Sequence, residues 1–146
     1  MASWRDSTPD AIQNDLDGLF GMCLDAAEHF LTKNGEFMPF AFAVNNGGEA
    51  GMKAAGEDMP ASDMLDLLID GMRSEADENR AVGFVVDVAI AGGDAVRVNL
   101  EHRDGGPALE LISPYKISRF KKELNFAETS VAEGSRRVWP PTQGAG

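Results

Sequence analysis

Near the N-terminus, Ile12, Leu16, Leu19, Phe20, Cys23, Ala27, Phe30 and Leu31 recur at three- and four-residue steps, with Asp15, Asp17, Asp25 and Glu28 mostly on the other side. That period predicts an amphipathic helix. Thr8, Pro9 and Asp10 supply its start, since proline needs no N–H in the first turn and an acid there meets the helix dipole. Asn34 and Gly35 supply its stop, because both tolerate the left-handed cap conformation. Gly18 and Gly21 each weaken the helix by up to about 1 kcal/mol relative to alanine. Packing must therefore hold it, with a close backbone approach expected near Gly21.

The stretch "GEFMPFAFAV", residues 35–44, reads as a strand. Alternation puts Met38, Phe40, Phe42 and Val44 on one face and Phe37, Pro39, Ala41 and Ala43 on the other. Neither face is polar, so both need cover, either from a helix and a neighbouring strand or from a dimer interface. A pocket lined by these aromatics is the functional alternative. Pro39 withholds one ladder donor, which implies an edge or a bulge. Asn45 to Gly48 then turn the chain into a weakly patterned second strand over 49–55. A second helix is expected over 62–77, with Ala61, Leu65, Leu68, Met72 and Ala76 as its stripe and Met64, Leu67 and Ile69 broadening it.

From Ala81 the period becomes two. Val82, Phe84, Val86, Val88 and Ile90 share a face, and after the "AGGD" turn so do Val96, Val98 and Leu100. Pairing Val88 with Val96 sets Asp87 against Arg97 on the reverse face, an opposite-charge pair. "RDGGP" turns again into a third meander strand through Leu109 and Leu111, with Glu110 near Asn99. Ser113-Pro114 is read as opening a C-terminal helix with Ile117, Phe120 and Leu124 at helical steps and Lys116, Arg119, Lys121 and Lys122 between them; strand or coil are the alternatives.

Assembled, the expectation is an α+β fold: helix, two strands, helix, three strands and the optional C-terminal helix. Its five-stranded antiparallel sheet has the helices packed on one face. Residues 1–7 are expected as a flexible lead-in and 8–126 as a single domain. Residues 127–146 form a low-complexity tail, docked if at all through Val138 and Trp139. The element order resembles roadblock and profilin-like folds and, more distantly, secretion-chaperone folds; a fold likeness carries no function by itself. "GEFMPFAFAV", "AVGFVVDV", "AVRVNLEHRDG" and "SPYK" together resemble a family of small uncharacterised bacterial domains over roughly residues 20–116. That resemblance implies no activity and no site residue.

Charge changes the choice of partners. Of the formal −11, residues 1–102 hold 19 acids against 6 bases, whereas 103–146 hold 5 acids against 7 bases. Such a body repels phosphate backbones and anionic lipid, so neither nucleic acid nor membrane is expected as a partner; a basic protein would suit it better. Cys23 is the single cysteine, which excludes an intrachain disulfide and fits a reducing cytoplasm. No run approaches the roughly 18 apolar residues of a membrane span.

Candidate chemistry is sparse. Two histidines and one cysteine cannot supply a converging zinc set, and neither a nucleotide loop nor a nucleophile elbow occurs, so no metal or cofactor is expected. His102, beside Asp104 in "LEHRDG", is the best general-base candidate, weighed against a turn-bonding histidine. The favoured expectation is a non-catalytic interaction domain that self-associates as a homodimer through the surface around Met38, Phe40 and Phe42 or through the second helix. The alternatives are a ligand-binding domain or enzyme with a pocket near Phe37, His102 and Tyr115, and an immunity-type inhibitor of a basic protein.

Overall fold

The computed structural model describes residues 4–54, 58–118 and 123–140. Helix α1 spans Asp10–Asn34 and ends as expected: Gly35 adopts the left-handed conformation (φ +79°) and its N–H returns to the Leu31 carbonyl at 2.8 Å. Strands β1 (Phe40–Asn45) and β2 (Ala50–Ala54) form a hairpin, helix α2 (Ala61–Ser74) follows, and β3 (Asn79–Ile90), β4 (Gly93–His102) and β5 (Leu109–Ile117) form the meander. Two further strands, β6 (Leu124–Phe126) and β7 (Ser130–Glu133), complete the sheet. The order is β2-β1-β3-β4-β5-β6, with β7 also pairing β5.

Among the described residues, seven antiparallel strands therefore stand in place of the expected five. The C-terminal helix opened by Ser113-Pro114 does not form: these residues lie inside β5, where a residue preceding proline favours extended backbone and the alternation Leu109, Leu111, Ser113, Tyr115, Ile117 continues unbroken. Residues 119–122, the centre of the basic stretch, lie outside the described residues. Strands β6 and β7 act as one edge strand whose register against β5 slips by one residue between Tyr115↔Phe126 and Ile112↔Ser130. The slip falls at Pro114, which has no N–H to offer, and Ala127 there donates to the Pro114 carbonyl at 2.8 Å.

The helices pack on opposite faces, not on one. Phe40, Val44, Ala81, Val85, Val98 and Leu111 join the core under α1, whereas Ala41, Ala43, Val82 and Phe84 join Leu68, Ile69 and Met72 of α2. Alternation along β1 and β3 compels this, because each strand is apolar on both sides and each side needs its own cover. The β3–β4 register also differs from the expected one: a two-residue loop, Ala91–Gly92 with Gly92 at φ +85°, sets Val88 opposite Ala95 and Asp87 opposite Val96. Asp87 and Arg97 thereby face opposite sides of the sheet. The close approach expected at Gly21, whose added Cβ would meet nothing, occurs instead at Gly83, where a Cβ would lie 2.9 Å from Cys23 Sγ.

Candidate functional site

Polar chemistry gathers at the two ends of the α1-covered face. At one end, the first half of α1 carries Asp15 over the close of β4, where His102 is 2% exposed. His102 Nε2 lies 2.8 Å from Asp15 Oδ2, and Arg80 Nη2 donates to Asp15 Oδ1 at 2.9 Å. The backbone N–H of Asp104 donates to His102 Nδ1 at 3.1 Å. A nitrogen that accepts an N–H carries no proton, so the ring is the Nε2–H tautomer donating to Asp15. Burial alone would raise the Asp15 carboxyl, but the bonds from His102 and Arg80 outweigh it and hold it below the ordinary range. Both ring nitrogens are engaged by the protein, so this imidazole ties α1 to the sheet and offers no free atom for proton transfer.

At the other end, the Tyr115 hydroxyl donates to Asp87 Oδ1 at 2.7 Å, and the Phe37 backbone N–H also bonds this carboxylate. Burial raises the Asp87 carboxyl despite both bonds, with Asp94 and Glu36 pushing the same way. The Tyr115 hydroxyl is pushed up by burial and by Asp87. Beside it opens a cleft of about 480 Å³ whose lining includes Ile90, Asp94, Pro114, Tyr115, Asn125 and Phe126. The cleft walls are largely apolar.

Of the residues singled out in the sequence, Phe40 is buried and meets Phe30, Phe37 and Phe42 edge to face, with centroids 5.3, 5.4 and 6.1 Å apart. The phenylalanine strand is therefore core, although Met38 remains 50% exposed and Phe37 and Phe42 are half-buried. Phe37 and Tyr115 come together at Asp87. His102 does not join them: Tyr115 pairs with Asp94, eight residues from His102 along β4, roughly 26 Å at about 3.3 Å per residue.

Three carboxylates carry roles that alternation alone did not indicate. Asp15 looked like one more acid on the wet side of α1, and Asp87 looked paired with Arg97. Glu101, on the α2 side of β4 and 3% exposed, accepts the backbone N–H groups of Arg137 (2.8 Å), Val138 (3.1 Å) and Trp139. Trp139 Nε1 donates to the Ala76 carbonyl at 3.2 Å, and Arg136 Nη1 to the Gly106 carbonyl at 2.9 Å. Three successive amides make an anion-binding concavity, here filled by the protein's own carboxylate. The one available signal was an acid next to His102 on a strand, which says nothing about a segment 36 residues later.

Among the described residues no cluster of three or more His, Cys, Asp or Glu is placed to hold a metal ion, and no helix is long and apolar enough to cross a membrane. Set against protein-family models, curated proteins and solved structures, the chain matches none.

Proposed function

We propose that this chain is a non-catalytic protein-interaction domain that self-associates. One observation carries the reading: helix cover is unequal between the two faces of the sheet. The 25-residue α1 lies over β1, β3 and β4, whereas the 14-residue α2 meets β1 and β3. Beyond α2 the second face carries the half-buried Val88, Ile112 and Pro114 around Arg97, without a helix above them among the described residues. Surface of that kind is commonly an interaction site. The engaged ring of His102 adds support, because the best general-base candidate is spent on structure. Acidic charge keeps nucleic acid and anionic membrane as poor partners and leaves a basic protein as the favoured heterologous one. Light scattering over a concentration series tests the reading: a mass rising to twice the monomer supports it, and a constant monomer at every concentration refutes it.

A second reading rests on the cleft beside Tyr115, whose walls are largely apolar and whose lining includes the polar side chains of Asp94 and Asn125. A small ligand with an apolar body and one hydrogen-bonding group would fit it. Shifts of the Tyr115 and Phe126 ring resonances on screening a fragment library would support it, and silence across such a library would remove it.

A further inference from the structure

On the α2 side of the sheet, beyond the reach of α2, the register lines up Val86, Arg97 and Ile112 across β3, β4 and β5, with Val88, Ala95 and Pro114 as the next row and Asn99 and Glu110 as the previous one. Val88, Ile112 and Pro114 are half-buried, and Val86 and Ala95 are buried. Arg97 stands in the middle of this apolar patch. Its Nε is fully buried without a hydrogen-bond partner, and among the described residues it forms no ion pair. A buried N–H left without an acceptor is costly, and a carboxylate brought to this half-buried guanidinium would supply one. Glu110, on the same face one row away, likewise has no hydrogen bond or ion pair from its side chain among the described residues.

We infer that this patch is the self-association surface of the domain and that its occupant is a second copy, packed sheet to sheet across a two-fold axis so that Arg97 of each copy meets Glu110 of the other. This rests on the reading of a self-associating domain and names its surface. Three features select a copy of the same chain. A two-fold contact must be self-complementary, and this face sets the cation Arg97 and the anion Glu110 beside aliphatic residues, with Lys116 exposed at its far end and Glu101 already engaged by the Val138 segment. Two sheets packed face to face stand about 10 Å apart, close to the layer that α2 already occupies beside the patch, so the second sheet can extend that layer. Finally, the molecule's −11 charge opposes loose association of copies, so a stable pair needs a local opposite-charge contact of this kind.

The test is sedimentation velocity on the full chain, with Arg97→Glu, Glu110→Arg, the double charge swap, and Val88→Asp as an apolar-patch variant. Far-ultraviolet circular dichroism and an amide NMR spectrum establish that each variant folds. Either single swap should raise the dimer dissociation constant by at least about tenfold, and the double swap should return it to within about threefold of wild type. Val88→Asp should weaken the dimer without rescue, and Leu67→Asp, on the exposed flank of α2, should leave it unchanged. A wild-type chain that stays monomeric would refute self-association altogether. A dimer indifferent to Arg97→Glu and Val88→Asp, or broken by Leu67→Asp, would leave self-association standing and overturn this surface.

Discussion

The two ends of the α1-covered face hold superficially similar pairs, a carboxylate with a ring donor, yet they are built for opposite outcomes. Asp15 receives His102 and the Arg80 guanidinium, so its charge is compensated and its carboxyl is held low. Asp87 receives a neutral Tyr115 hydroxyl and one backbone N–H, with Asp94 and Glu36 as like-charged neighbours, so its carboxyl is raised. Each acid has two hydrogen-bond partners, so the difference shows that a half-buried acid is stabilised by the charge of its partners and neighbours more than by the bare fact of being hydrogen-bonded.

The largest expected effect is at the compensated end. Asp15→Ala strips the partner from a buried imidazole N–H and from Arg80, and should cost about 3 kcal/mol in urea unfolding, at the low end for a broken buried pair because Asp15 is 19% exposed. Were Asp87→Ala to cost as much, the contrast would fail. Between the two ends, Gly83→Ala places a Cβ 2.9 Å from Cys23 Sγ and 3.1 Å from Leu100 Cδ2 and should cost about 2 kcal/mol. Adding Cys23→Ala should recover part of that loss, seen as a rise in the unfolding midpoint. At the uncompensated end, Tyr115→Phe removes one hydrogen bond and should cost about 1 kcal/mol.

Smallest at neutral pH is Asp87→Asn, within about 0.5 kcal/mol, but it sharpens the contrast most through pH dependence. A raised carboxyl means that the folded state binds more protons than the unfolded one, so this group's contribution is full below the ordinary carboxyl value of about 3.9 and is lost as pH rises through the folded value. Asp15 acts in reverse: its contribution is present above the ordinary value and is lost as pH falls through the lowered one. Urea midpoints followed from acid to neutral pH should lose the falling limb in Asp87→Asn and lose the acid-side rise in Asp15→Asn.

Much of the architecture was legible along the chain. The α1 stripe and its glycine stop, the β1–β2 turn, the α2 stripe and the period-two meander all follow from local periodicity and turn chemistry. The candidate chemistry was less so. His102 and Tyr115 were both visible as unusual residues, yet their partners Asp15 and Asp87 lie 87 and 28 positions away. A one-residue difference in the β3–β4 turn was enough to send Asp87 to the other face from Arg97, because side chains alternate with a period of two.

By itself the sequence determined that two helices and a meander would form, and that β1 would need cover on both sides, since its apolar runs cannot face water on either; the meander strands read as apolar on one face only, and the structure buries β3 on both. Only the tertiary structure decided that the helices divide between the faces, that Pro114 sits within a strand opposite a bulge, and that Glu101 captures the Val138 segment. Those outcomes depend on contacts between residues far apart in the chain, whose geometry is set by register and packing rather than by local preference.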